Sequence, residues 1–304
     1  MNAPRRPPRQ KIDGVVLLDK PFGLSSNAAL QRVRRVFNAA KAGHTGTLDP
    51  LASGLLPLCL GEATKFAQTL LDADKSYEAE LCLGVRTDTG DAEGAVIERR
   101  DVDCTVEKFV GACSRFVGTI EQIPPMHSAL KVGGRPLYEY ARSGVVLKRD
   151  PRTVHIRRIN MLEFAGEKAR IVVDCSKGTY IRVLAEDIGI LLGCGAHLTG
   201  LRRTRIGRFD VRDSVSLERL ELDMAGSRAW LLPADHLISD WPKIGLMSDA
   251  ARSFGHGQAV RLDLQHGGCK DVRVIGPGGQ FLGTGVVDGE VLLPRRVVGA
   301  IQSS

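Results

Sequence analysis

No stretch of this chain is apolar for long enough to cross a membrane, and the start, MNAPRRPPRQK, leads into no hydrophobic segment of a secretory leader. We therefore expect a cytoplasmic, reduced protein with no membrane partner. The seven cysteines are odd in number and scattered, with no Cys-x-x-Cys pair and no histidine at ligand spacing. That pattern argues against a disulfide framework and against a zinc site. There is no phosphate-binding G-x-x-x-x-G-K-[ST] loop, and no G-x-G-x-x-G follows a strand, so nucleotide-driven and dinucleotide redox chemistry lack their usual signatures. Heptad seams and internal repeats are missing too, which favours a monomer with no obligate protein partner.

What is present suits a sizeable core. The chain has 304 residues, 43% of them hydrophobic and 25% charged, enough for one large domain and a small one. Lys and Arg number 42 against 35 Asp and Glu, an excess that favours an anionic partner through phosphate neutralisation.

GVVLLD (14–19) reads as a buried strand and is followed by a helix, with Ser25 or Ser26 as cap and Leu30, Val33 and Phe37 on one face. Residues 77–86 alternate as a strand and run into the turn-rich TDTGDAEG. Thr105 to Phe116 has helical spacing; QIPPMHSALKVGGRPLYEYARSG (122–144) reads as a functional loop with a helix starting at Pro136. Strands at 153–164 and 169–176 precede a helix marked by Leu184, Ile188 and Leu191. Mixed elements without regular βαβ alternation predict an α+β domain on a largely antiparallel sheet. Eleven of the 34 glycines fall in 255–299 between short apolar runs, which predicts a separate small β-barrel. The expected organisation is a disordered basic arm at 1–11, a catalytic domain at 12–245 with an RNA-binding insertion near 122–150, and a small domain at 246–304.

One carboxylate, Asp49, stands in GHTGTLDPLASGLLPLCLGEATK (43–65) among Gly43, Gly46, Pro50 and Gly54. Proline pushes the preceding residue into extended conformation and glycines permit close backbone approach, so such a loop can hold a carboxylate rigidly beside a ligand. An isolated Asp-Pro pair more ordinarily caps a turn.

The whole segment, however, resembles the catalytic motif of the bacterial tRNA pseudouridine-55 synthases, the TruB family. The resemblance continues through DGVVLLDKPFGLSSNAAL (13–30), KSYEAELCLGVRTDTGDAEG (75–94), QIPPMHSALKVGGRPLYEYAR (122–142) and CSKGTYIRVLAEDIGILLGCGAHLTGLRRTRIG (175–207), in the family's order. It implies a pseudouridine synthase fold, with a central mainly antiparallel sheet, followed by a PUA-like RNA-binding barrel, where the match is weaker. It also implies a tRNA substrate, whose T-loop uridine is flipped out and isomerised with no cofactor and no metal. Catalytic roles then fall to Asp49 as nucleophile or base, Arg182 as its counter-charge and Tyr180 at C5, where it either takes the proton itself or orients a water that does. Tyr77 would stack on the base, Leu201 would line the pocket, and His44 would fill the gap the uridine leaves. Lys20 and the series Arg202, Arg203, Arg205 and Arg208 are candidate phosphate contacts. Two other readings share these residues: a synthase that works with a guide RNA, and a tRNA-folding chaperone. A hydrolase using Asp49 is disfavoured because no second carboxylate is recognisably paired with it.

Overall fold

The apolar run near the start of the chain becomes β1 (Gly14–Lys20), with Val16 and Leu18 in one hydrophobic cluster and Val15 and Leu17 in another. Successive side chains of a strand point to opposite faces, so a strand apolar throughout must be covered on both. The structure, a computed structural model, describes residues 8–262 and 271–299. On one face α1 (Ser26–Val36) packs Ala29, Leu30 and Val33 against the sheet, its end capped by the Ser25 hydroxyl, which accepts from Ala28 N. The short β2 (Ala42–His44) and the long β3 (Ala52–Leu60) follow. On the other face, Leu70 of α2 (Ala67–Leu71) joins Leu55, Cys59 and Phe209.

Beyond β4 (Lys75–Leu83), a hairpin of β5 (Val85–Thr87) and β6 (Val96–Arg99) carries the turn-rich loop, and α3 (Val106–Ser114) is capped by Thr105. After β7 (Gly118–Gln122), the insertion holds a two-residue ladder of β8 (Lys131–Val132) and β9 (Arg135–Pro136) and the helix α4 (Leu137–Arg142). The paired β10 (Arg152–Ala165) and β11 (Lys168–Cys175), the helix α5 (Ile181–Leu191) and the long β12 (Ala196–Ile206) come next. They lead to β13 (Phe209–Asp210), β14 (Val215–Ser216) and α6 (Leu217–Leu222). The main sheet runs β14-β1-β3-β12-β4-β11-β10-β7, with β2 on β3 and β13 on β12. It is antiparallel except at β1–β14 and β3–β12.

That parallel β3–β12 contact explains a glycine. A Cβ on Gly54, whose φ is +101°, would lie 2.3 Å from the Arg203 carbonyl oxygen. The glycine-dense stretch around Asp49 is accordingly less of a loop than its composition predicts: Gly43 lies in β2 and Gly54 in β3, leaving only 45–51 between strands.

The glycine-rich end forms a second sheet from β15 (Lys243–Gly245), β16 (Val260–Arg261), β17 (Val272–Ile275), β18 (Phe281–Asp288) and β19 (Val291–Val297), with α7 (Ser248–Gly255) against it. Its own core contains Ile244, Phe254, Val274 and Leu292. Phe281 meets Phe66 edge-on at 5.3 Å, and Lys65 Nζ donates to the Val297 carbonyl at 2.7 Å, tying this sheet to the first. Residues 1–7 of the basic arm lie outside the described residues. Its last residues are placed: Gln10 bridges to Ala39, and Asn38 Nδ2 donates to the Pro8 carbonyl at 2.9 Å. Among the described residues, no helix is long and apolar enough to cross a membrane.

Candidate active site

The short link between β2 and β3 is pinned at every carbonyl from 46 to 50. Arg203 donates to Gly46 O (3.3 Å) and Thr47 O (3.4 Å), Ser26 Oγ to Leu48 O (2.9 Å), Ala52 N to Asp49 O (3.0 Å), and Gly23 N to Pro50 O (2.8 Å). Ser26 Oγ also accepts from Leu48 N at 2.7 Å. Asp49 therefore leaves a backbone fixed on both sides, while its side chain keeps 38% exposure and stays within reach of a ligand.

Arg182, in the first turn of α5, faces it. The Arg182 guanidinium lies 3.1 Å from Asp49 Oδ2 and 3.1 Å from Asp91 Oδ2, and donates to Thr89 O (3.2 Å) and His127 O (2.6 Å). A cation at a helix N-terminus opposes the helix dipole, and two carboxylates with two carbonyls offset that cost. Asp91 is buried and is itself held by Thr89 Oγ1 at 2.6 Å and Glu93 N at 3.1 Å. This second carboxylate, in the TDTGDAEG turn, is absent from the residues picked out of the sequence, where an aspartate among glycines and threonines reads as turn chemistry.

Burial pushes the Asp49 carboxyl above its ordinary range and Asp91 adds to the push, while Arg182, Lys20 and His127 oppose it. If Asp49 acts as a carboxylate, the single-turnover rate is expected to fall as pH drops, with a midpoint above the usual aspartate value of about 3.9. A rate independent of pH down to about 4 would contradict this.

Asp49, Tyr77, Tyr180, Arg182 and Leu201 line one cavity of about 330 Å³, at the small end of the range for ligand pockets, roughly 300 to 1,000 Å³. Tyr77 comes from β4, Leu201 from β12 and Tyr180 from the residue before α5. Ser128 of the insertion also lines it, and its hydroxyl, although buried, has no hydrogen-bond partner among the described residues.

Other expected contacts are placed differently. Lys20 is fully buried and gives its ammonium to the Pro21 and Leu24 carbonyls, so it presents no charge to a phosphate. Burial lowers its pKa to about 8, and it acts on Asp49 as a nearby cation. Arg203 is also buried, donating to Leu55 O at 2.8 Å besides Gly46 O and Thr47 O. It belongs to the scaffold. Arg203→Met should lower stability by about 3 kcal/mol, because several buried acceptors lose their donor at once; an unchanged denaturation midpoint would refute that role. Arg202 pairs with Asp19 at 2.7 Å, while Arg205 and Arg208 are exposed and the Arg208 guanidinium lies 4.5 Å over the Phe209 ring. His44, half-buried at the end of β2, does not line the cavity; burial and Arg203 lower its pKa, and its Nδ1 has no hydrogen-bond partner among the described residues.

Comparison with known proteins decides what such a site belongs to. Residues 34–181 match the TruB family pseudouridylate synthase N-terminal domain, 182–239 the tRNA pseudouridylate synthase B C-terminal domain, and 242–298 the C-terminal domain of pseudouridine synthase II TruB. The chain belongs to the TruB family of pseudouridine synthases. It is 52% identical over 299 residues to the tRNA pseudouridine synthase B of Thiobacillus denitrificans (strain ATCC 25259 / T1), covering 98% of this chain and 100% of that one. To the enzyme of the same name from Dechloromonas aromatica (strain RCB) it is 54% identical over 291 residues, covering 95% and 96%. Among solved structures it resembles a chain of a Cbf5-Nop10-Gar1 complex, with TM-score 0.70 and 28% identity over 93% of this chain and 84% of that one. As a TruB-family synthase the chain is an isomerase, and its fold is the expected mainly antiparallel sheet plus a PUA-like C-terminal sheet.

Proposed function

We propose that the chain converts uridine 55 in the T-loop of tRNA to pseudouridine, with Asp49 as the attacking carboxylate. The observation that carries this reading is the position of Asp49: on a pinned loop at the cavity wall, 3.1 Å from a buried arginine. The C1′–N1 bond breaks, uracil turns in the cavity, a C1′–C5 bond forms, and the C5 proton leaves as N1 gains one. Atoms and electrons balance without a co-reactant. Asp49 serves equally as nucleophile at C1′ or C6 or as base at C2′, and in each role it must be ionised, which is what Arg182 favours. Tyr77 and Leu201 bound the base, and Tyr180 stands at the wall to receive the C5 proton.

Reaching a base inside a folded loop costs a few kcal/mol of unstacking. His44, kept neutral by burial and by Arg203, suits stacking in the vacated place. The exposed Arg205 and Arg208 are the phosphate contacts we retain from the arginine series. The relatives named tRNA pseudouridine synthase B match over nearly their full length at more than half identity, whereas likeness to the Cbf5 chain is 28%; that contrast favours tRNA as substrate over a guide-RNA assembly. The test is pseudouridine mapping on an unmodified tRNA transcript with no guide RNA. One new pseudouridine in the T-loop supports the reading; modification elsewhere, or none, overturns it.

A further inference from the structure

The backbone of Tyr180 is read on both sides by one amide. Gln122 Oε1 accepts from Tyr180 N at 3.0 Å, and Gln122 Nε2 donates to Tyr180 O at 3.2 Å. Gln122 is the last residue of β7, 2% exposed and 58 positions away in sequence. Nothing local requires this contact. The first turn of α5 is already started by Leu184 N, which donates to the same Tyr180 carbonyl at 3.1 Å, and Tyr180 provides no side-chain cap.

We infer that Gln122 is a positioning residue for the pseudouridine reaction, setting Tyr180 and, two residues on, Arg182 at the cavity wall. The inference rests on the site reading given above. Three features support it. A primary amide offers a donor and an acceptor side by side, matching a peptide's N–H and C=O, and the glutamine side chain is long enough to reach both here. The junction it grips, SKGTY, is a turn in which Gly178 has φ +80° and the Thr179 hydroxyl bonds back to Ser176 O. Gln122 is also where the insertion begins, five residues before His127, whose carbonyl takes Arg182. It thus performs for the second wall of the cavity what Ser26 performs for the first: Ser26 holds the N–H and C=O of Leu48, beside Asp49, and Gln122 holds those of Tyr180.

Gln122→Glu tests this with little change of shape. The carboxylate still accepts from Tyr180 N but cannot donate to Tyr180 O, whereas the protonated acid can do both. Arg152 stands opposite position 122 in register on β10, so its charge enters the interpretation of the titration. At about pH 8 the single-turnover rate is expected to fall by about 10- to 100-fold, the scale of a small misplacement of catalytic groups, with tRNA affinity within about threefold of wild type. As pH is lowered, the ratio of variant to wild-type rate should rise, because protonation restores the donor. Gln122→Asn, one methylene too short, should lose rate without that recovery. A merely structural role predicts a lower melting temperature and a rate ratio that does not change with pH. Wild-type rate in both variants overturns the proposal, as does a pH-independent ratio for Gln122→Glu. Asp49→Asn and Tyr180→Phe run alongside: if they retain turnover, the site reading has failed; if they lose it while the Gln122 variants do not, only the clamp has.

Discussion

Arg182→Lys is expected to cut the single-turnover rate of pseudouridine formation by about a thousandfold while leaving tRNA binding nearly unchanged. The guanidinium is a fork with five donors; here it meets Asp49, Asp91 and the carbonyls of Thr89 and His127 from one fixed plane. An ammonium has three donors on a single atom and cannot span both carboxylates. A rate within tenfold of wild type would mean that charge alone suffices and the fork is dispensable. Asp91→Asn probes the same arrangement from behind. The amide still offers Arg182 an oxygen, so the loss should be about tenfold, and removing a negative neighbour should move the acid limb of the pH profile to lower pH.

Asp49→Asn carries the largest expected effect: no turnover, with the fold intact or firmer. Its carboxyl is pushed up by burial, so the folded state binds the proton more tightly than the unfolded chain. Stability tied to this group is therefore present at low pH and is lost as pH rises from the unfolded value, about 3.9, through the raised folded one. At neutral pH the ionised side chain is a standing cost, and asparagine removes it. Loss of activity with an undiminished melting temperature is the pattern of a site whose chemistry is held against stability.

Much of this was legible in the residues. Asp49 comes from the resemblance of its whole segment to the TruB motif, since an Asp-Pro pair alone more ordinarily caps a turn, and the same resemblance points to Tyr77, Tyr180, Arg182 and Leu201, which line the same cavity. The strands and helices followed from period, as in β1 with its two covered faces and α3 with its threonine cap. Within the arginine series Arg203 departs from the expected phosphate contact for a physical reason. Side chains of a strand alternate, so placing Leu201 at the pocket commits Arg203 to the same face, where it enters the protein rather than solvent. Lys20 was misjudged because a buried ammonium needs carbonyls, and the two that receive it come from a tight turn that composition does not reveal. Asp91, Ser26 and Gln122 act through partners 22 to 91 positions away, and no local pattern carries such pairings.

The most direct test uses tRNA carrying tritium at C5 of its uridines, with enzyme in excess over tRNA. Wild type should release the label of one uridine per tRNA, and Asp49→Asn should bind the same tRNA and release none. Release by Asp49→Asn at a rate comparable to wild type would contradict the assignment of the reaction to this carboxylate.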